Sequence, residues 1–176
     1  METSLTYWFI FIGNALLLER DGDNYRVPCC SAPPLPLKDW TPQQELPPLD
    51  GISCLACRVD LPPADSSHWV SMGLRETWNV LPFQFYNMAG KAYELIYWDS
   101  NTKYCGFCGA PMKRDTPISK KCTHCGKEVW PQVSPAIIVR IRKGDDILLV
   151  HARNFRRSEM YGLVAGIVTV FVLAII

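Results

Sequence analysis

The chain has 176 residues, of which 48% are hydrophobic and 20% charged, a composition that excludes a fibrous, collagen-like or wholly disordered protein. Its formal charge of +1 creates no global field that would attract nucleic acid or an anionic membrane. The apolar run near the N-terminus has no positive charge before it and breaks at Gly13-Asn14, which is poor for a signal peptide, so we expect a cytoplasmic protein. In a reducing compartment, the eight cysteines favour thiolate–metal chemistry over disulfides.

The first part of the chain predicts mainly short strands. Residues 7–18 form two apolar runs around Gly13-Asn14, a pair that can adopt the positive φ of a hairpin turn. The segment from Pro28 to Asp50 holds seven of the fourteen prolines, which predicts a surface loop. Residues 66–85 predict a second patch of short strands.

A helix and further strands are predicted in the second half. Between Tyr86 and Trp98, apolar residues recur at helical spacing, namely Ala89, Ala92, Tyr93 and Ile96. Residues 136–142 are rich in β-branched side chains, and residues 147–150 follow after a turn-rich linker, which predicts a hairpin opening a new domain. The uncharged stretch from Gly162 to Ile176 is shorter than the roughly 20 residues of a membrane span, and we interpret it as a buried strand or interrupted core segment.

Two Cys-x-x-Cys-Gly motifs carry the strongest chemical signal. Cys105 and Cys108 form the first pair, and Cys122 and Cys125 the second, with residues 109–121 between them. Four thiolates grouped in this way can surround one Zn²⁺ tetrahedrally, and the glycine after each pair accepts a tight turn. Two disulfides or four free thiols are the alternative. With four protein ligands the zinc has no open position, so the site is predicted to be structural.

The remaining cysteines and histidines give weaker signals. A second zinc site could be drawn from Cys29, Cys30, Cys54 and Cys57, but their spacing is irregular, and buried or free thiols are the simpler interpretation. His124 is predicted to face solvent, while His68 and His151 stand at no metal-ligand spacing. No Ser/His/Asp or Cys/His catalytic arrangement is evident.

The cysteine motifs and the segments around them resemble the NADH pyrophosphatase branch of the Nudix hydrolases. The residues that carry the resemblance are Tyr104-Cys-Gly-Phe-Cys-Gly, Lys121-Cys-Thr-His-Cys-Gly, Trp130-Pro-Gln-Val-Ser-Pro-Ala-Ile-Ile-Val, Leu163-Val-Ala-Gly and, upstream, Met72-Gly-Leu-Arg. The resemblance implies hydrolysis of the pyrophosphate of NADH or NAD⁺, and possible action on NAD-capped RNA. It also implies a homodimer and a divalent Mg²⁺ or Mn²⁺ ion besides the structural zinc.

The resemblance also implies roles for individual residues. Trp130 would contact the base of the dinucleotide, and Arg75 would reach toward the substrate from the N-terminal domain. Each has an ordinary alternative, because Trp130 could pack the ribbon against its neighbour and Arg75 could be a surface ion-pair partner. The Ala165 carbonyl would join the shell of the divalent metal.

The catalytic Nudix box is incomplete in this chain. Gly166 fits its first position, but Val172 stands where the first required glutamate belongs, and no Asp or Glu follows Met160. Pyrophosphate cleavage needs a divalent metal held by several carboxylates, so we expect this chain to be inactive. A shifted reading frame or a truncated gene product would explain the departure.

These observations predict an α+β protein in three parts. Residues 1–100 form a β-rich N-terminal domain, residues 101–131 a four-cysteine zinc ribbon, and residues 132–176 an incomplete Nudix α/β/α domain. The alternative to a pyrophosphatase homologue is a zinc-ribbon module that binds a protein or a nucleic acid. We do not expect a membrane partner.

Overall fold

A seven-stranded sheet forms the largest element of the chain. The computed structural model describes residues 4–61, 65–151, 153, 157 and 159–167. The chain divides into two compact units, residues 1–131 and 132–176. The strands of the sheet are β1 (Thr6–Ile12), β2 (Ala15–Asp21), β3 (Asn24–Arg26), β4 (Cys29–Cys30), β5 (Gln43–Leu49), β6 (Ile52–Val59) and β7 (Trp69–Gly73).

Their order in the sheet is β3-β2-β1-β6-β5, with β4 paired to β1 and β7 paired to β2. The pairing of β1 with β6 is parallel, and the other pairs are antiparallel. The predicted hairpin is confirmed: Phe11 lies opposite Leu16 across a turn in which Gly13 has a φ of 60°. Glycine suits this position because it lacks the Cβ that makes left-handed φ values costly.

The prediction of a loop from Pro28 to Asp50 is wrong in part. The segment contains β4 and β5, and β5 stands at an edge of the sheet, where among the described residues its partner is β6. Its Pro47-Pro48 pair lies where the register shifts, between Leu46 and Leu49. A proline cannot donate a ladder hydrogen bond, but an edge position and an irregular register make that donor unnecessary.

A long helix packs on one face of the sheet. A 3₁₀ turn at Glu76–Asn79 leads to helix α1 (Phe83–Asn101), which confirms the predicted helix and extends it at both ends. The core under α1 contains aromatic and aliphatic residues of β1 and β2 together with alanine and leucine residues of the helix, namely Phe9, Phe11, Leu16, Leu18, Ala89, Ala92 and Leu95. Since side chains alternate along a strand, Trp8, Ile10 and Ile12 form a second core on the opposite face.

The described residues of the second unit include two short strand pairs. Strand β11 (Ala136–Val139) pairs with β14 (Val164–Ile167), and β12 (Arg142–Lys143) pairs with β13 (Asp146–Ile147). The predicted hairpin is therefore reduced to β12 and β13, because the partner of β11 comes from far along the chain. Residues 168–176, including Val172, lie outside the described residues. Within the described part, no helix is long and apolar enough to cross a membrane.

Candidate metal centre

The two cysteine motifs lie in turns beside the strands of a small three-stranded sheet in the first unit. Its strands are β8 (Met112–Thr116), β9 (Ser119–Cys122) and β10 (Glu128–Val129), in the order β10-β9-β8. The first motif precedes β8, and the second joins β9 to β10. Two cysteine-bearing turns are therefore brought to the same end of one short sheet. Because α1 extends to Asn101, we use the name ribbon below for residues 103–131 of the predicted range 101–131.

Each motif is closed by the same hydrogen bonds. The Gly109 N–H donates to the Cys105 carbonyl at 2.9 Å, and the Phe107 N–H donates to Cys105 Sγ at 3.5 Å. In the second motif the Gly126 N–H donates to the Cys122 carbonyl at 3.3 Å. Gly109 and Gly126 have φ values of 75° and 73°, so each motif ends in a left-handed residue, as the sequence predicted. The repeated geometry makes each motif half of one site.

The four sulfur atoms all lie within 4.8 Å of one another. Cys105 Sγ is 3.7 Å from Cys125 Sγ, and Cys108 Sγ is 3.4 Å from Cys122 Sγ. A disulfide bond is only about 2.05 Å long, so these are four free thiols. Zinc–sulfur bonds of about 2.3 Å in a tetrahedron place the sulfurs roughly 3.8 Å apart, close to the observed spacing. The cluster therefore fits one tetrahedral metal ion.

Backbone hydrogen bonds prepare two of these thiols for metal binding. The N–H groups of Cys125 and His124 donate to the Cys122 sulfur and lower the pKa of that thiol to about 6. The Cys108 N–H acts in the same way on Cys105, whose pKa is also lowered. Because a metal binds the thiolate and not the thiol, both shifts favour coordination. The pKa of Cys125 shifts the other way: the Lys127 backbone hydrogen bond lowers it, but burial and hydrogen bonds with the other three thiols raise it to about 12. The His124 side chain is itself exposed, as predicted.

A buried lysine joins the ribbon to the end of α1 by hydrogen bonds, and no pattern in the sequence indicates this contact. Lys120 Nζ donates to the carbonyls of Asp99 at 2.6 Å and Thr102 at 2.9 Å, and lies 3.1 Å from the Asp99 carboxylate. Arg114 Nη2 binds the same carboxylate at 2.7 Å. Burial alone would raise the pKa of Asp99, but these two cations hold it below its ordinary value. A cation at this position also neutralises the negative end of the helix dipole.

The other four cysteines do not form a second cluster. Cys54 lies in the core under α1, whereas Cys57 lies in the core on the opposite face of the sheet. Burial raises the pKa of the Cys57 thiol to about 11. Cys29 and Cys30 are half-buried in β4. Among the described residues, the ribbon cysteines are the only group of three or more His, Cys, Asp or Glu side chains placed to hold a metal.

The three remaining predicted site residues, Trp130, Arg75 and Ala165, belong to different parts of the structure. Trp130 directly follows β10 and is 52% exposed, and Arg75 is exposed just before the 3₁₀ turn. No hydrogen bond or ring contact joins these two side chains in the described structure. Ala165 belongs to the second unit, where it pairs with Ile138 in the β11–β14 ladder.

A family model and several known proteins match large parts of this chain. A family model described as an NADH pyrophosphatase-like rudimentary NUDIX domain matches residues 5–98, just over half of the chain. The NAD-capped RNA hydrolase NudC of Pectobacterium carotovorum subsp. carotovorum is 38% identical over 86 residues, which cover 48% of this chain and 33% of that relative. The protein of the same name from Stutzerimonas stutzeri is 31% identical over 142 residues, which cover 74% of this chain and 50% of that relative.

The chain therefore spans between a third and half of the length of these two relatives. The family match covers the main sheet and nearly all of α1, the elements on which the ribbon is anchored. Together with the two motifs closed around four converging thiols, the match agrees with the family that the sequence resembled. The chain belongs to the NADH pyrophosphatase branch of the Nudix hydrolases.

Proposed function

We propose that this chain provides the substrate-recognition and zinc-ribbon parts of a NAD(H) pyrophosphatase. In the intact family, water would attack the pyrophosphate of NADH or NAD⁺, releasing AMP and nicotinamide mononucleotide. The names of the relatives extend the proposed substrates to NAD-capped RNA. The observation that carries this proposal is the family match over residues 5–98, continued by the four-thiol cluster.

The two proposed metals differ in how well the chain can hold them. The ribbon cysteines fit Zn²⁺ and would hold it as a structural ion, since all four positions of the tetrahedron are taken. The second unit would be the start of the Nudix α/β/α domain. There the Ala165 carbonyl alone does not fit Mg²⁺ or Mn²⁺, which need several oxygen ligands including carboxylates. We therefore propose that this 176-residue chain binds substrate without hydrolysing it.

Trp130 and Arg75 are the proposed substrate-binding residues. The indole of Trp130 is half exposed, which leaves a face available for stacking on a nucleobase. Such stacking contributes about 1–3 kcal/mol in nucleic-acid complexes. The exposed guanidinium of Arg75 presents a planar fork that suits a phosphate.

Replacing Trp130 with alanine should weaken NADH binding by about tenfold, because the stacking energy of one base is lost. The measurement is a titration of the zinc-loaded chain with NADH, followed by NADH fluorescence. Trp40→Ala is the matched control, since Trp40 is also exposed but lies outside the ribbon. Equal affinities of the two variants would contradict the role of Trp130, and release of AMP in the presence of Mn²⁺ would contradict the proposed inactivity.

We also propose a homodimer in a reducing, cytoplasmic compartment. The compartment is supported by the chemistry of the cluster, because four thiols must stay reduced to act as zinc ligands.

The dimer is proposed from family membership alone. Analytical ultracentrifugation of the zinc-loaded chain would decide it, and a single species of 20.0 kDa would overturn it.

The ribbon surface favours a second candidate function, docking of single-stranded nucleic acid. Tyr104 and Phe107 are 69% and 78% exposed, and Lys127 Nζ lies 6.0 Å from the centre of the Phe107 ring. Exposed aromatic rings beside cations are the usual platform for unpaired bases. Lys103 and Lys113 are also exposed on the ribbon and would attract the phosphate backbone.

Phe107→Ala should weaken binding of a single-stranded RNA oligonucleotide to the zinc-loaded chain by about fivefold to tenfold. Fluorescence anisotropy of a labelled RNA without an NAD cap measures this effect separately from dinucleotide binding. Phe83→Ala is the control, because Phe83 is also an exposed phenylalanine, 65% accessible, but lies at the start of α1 and outside the ribbon. RNA binding that is unaffected by Phe107→Ala would exclude the ribbon as the docking surface.

A further inference from the structure

A cavity of about 340 Å³ lies in the first unit, away from the thiol cluster. The sheet contributes Gly13, Gln44 and Arg58 to its lining, α1 contributes Ile96 and Asp99, and the ribbon contributes Arg114. Gln44 lies opposite Ala56 across the β5–β6 ladder, so it neighbours Arg58 diagonally on the face that bears α1. The cavity thus lies where the sheet, the helix end and the ribbon meet.

Two side chains in this lining have buried polar atoms without hydrogen-bond partners. Gln44 is only 2% exposed, and its Nε2 donates to the carbonyls of Glu45 at 3.0 Å and Pro117 at 2.9 Å. Both donations fix the amide orientation and leave Gln44 Oε1 as an unpartnered acceptor. Arg58 Nε and Nη2 are also buried without an acceptor, while the guanidinium lies 5.3 Å from the centre of the Tyr93 ring.

Unpartnered groups of this kind are costly, especially on a charged side chain. The Nε and Nη2 atoms form one edge of the guanidinium, and their two parallel N–H bonds match the two oxygens of a carboxylate or phosphate. The neighbouring Gln44 Oε1 requires a ligand that donates a hydrogen bond. A small oxyanion that also carries a hydroxyl or amide donor would satisfy both side chains.

The charges around the cavity select among such ligands. Asp99 is already neutralised by Arg114 and Lys120, so its carboxylate does not require Arg58 as a partner. Asp60 also lines the cavity and would repel the second charge of a phosphate dianion. A monocarboxylate matches the Arg58 edge with a single charge. We infer that this cavity is a binding site for a small hydroxy- or amido-monocarboxylate, held by Arg58 and Gln44 when the guanidinium edge turns toward it.

The test uses the ¹⁵N-labelled, zinc-loaded full chain and follows the arginine Nε–Hε resonances during titration with glycolate. We expect the Arg58 resonance to shift saturably, with acetate binding about twofold to tenfold more weakly because it cannot donate to Gln44. Arg58→Lys should weaken glycolate binding by about tenfold, since a lysine keeps the charge but loses the planar fork. Arg20→Lys is the matched control, because Arg20 is a half-buried arginine of β2 that does not line the cavity.

Several outcomes would overturn the inference. One is an Arg58 resonance that does not move, and another is a shift that sodium chloride reproduces at equal ionic strength. Equal affinities for glycolate and acetate would show that Gln44 does not accept a hydrogen bond from the ligand. A phosphate affinity equal to the glycolate affinity would contradict the assignment to monocarboxylates. The acetate comparison uses the unchanged chain, so it decides the question even where Arg58→Lys fails to fold. None of these results depends on the proposed hydrolase function.

Discussion

Cys105→Ser is expected to lower the zinc affinity of the chain by at least about 100-fold and to unfold the ribbon. Even partners outside the coordination shell contribute 10–100-fold to metal affinity, so loss of a thiolate ligand should cost more. Cys105 is one of four sulfurs within 4.8 Å of one another, and the remaining three leave an open position. The zinc-to-protein ratio after dialysis against a weak chelator measures the affinity.

The unfolding of the ribbon follows from how little apolar surface it buries. Cys105 and Cys122 are themselves among its few buried residues, whereas Ile118 is exposed. Small metal sites of this kind provide about 10–16 kcal/mol of apparent binding energy, which is also their folding energy. Trypsin should therefore cleave at Lys113 and Lys121 in the variant and not in the zinc-loaded wild-type chain.

Cys30→Ser provides the matched control for this experiment. Cys30 is a half-buried thiol in β4 and belongs to no metal cluster in the described structure. The zinc-to-protein ratio of the Cys30→Ser chain should therefore equal that of the wild-type chain. If Cys105→Ser retained one tightly bound zinc and resisted trypsin, the four-cysteine site would be wrong. Loss of zinc in both variants would indicate a general effect of folding and not a ligand at position 105.

Lys120→Met should destabilise the first unit by about 2–4 kcal/mol, the second largest effect that we expect. The substitution keeps an aliphatic side chain at this position but removes four contacts of Nζ: two with carbonyls, one with the Asp99 carboxylate and one with the Trp98 ring, whose centre lies 5.4 Å from Nζ. Breaking a buried pair by removing one partner costs about 3–5 kcal/mol. The value here is lower because Arg114 still neutralises the Asp99 carboxylate.

Lys121→Met tests whether the effect belongs to the buried position. Lys121 is the next residue of β9, but its side chain is 52% exposed and pairs with Glu128 at 3.3 Å. A surface pair of this kind contributes about 0–1 kcal/mol. Urea unfolding followed by tryptophan fluorescence suits this comparison, because all six tryptophans lie within residues 1–131. Equal destabilisation by both variants would show that Lys120 does not anchor the ribbon.

Local chemistry made several features predictable from the sequence alone. The hairpin depends on one glycine with positive φ between two apolar runs, and the helix depends on apolar residues at helical spacing. The four-thiol cluster depends on two short motifs whose turns need few other contacts. Each of these signals lies within a few consecutive residues. For the same reason, the family resemblance could be based on short runs around the cysteines.

Pairings between distant segments were decided only by the tertiary structure. The proline-rich segment provides β5 because an edge of the sheet tolerates Pro47-Pro48, and no local pattern shows that β6 pairs in parallel with the distant strand β1. Strand β11 likewise pairs with β14 and not with the nearby residues 147–150. Strand periodicity indicates which face of a strand is buried, but it does not specify the partner strand.

The sequence also does not indicate which polar residues of the first unit are buried. Lys120 and Lys121 are adjacent and chemically identical, yet only Lys120 reaches the end of α1. Gln44 and Arg58 look like ordinary strand residues, and their unpartnered atoms arise only where the sheet, α1 and the ribbon converge. The sequence by itself determined the four-cysteine cluster, the hairpin and the helix, because these depend on neighbours in the chain. The tertiary structure decided which charges are buried and which remain unpaired, because burial depends on segments far apart in the chain.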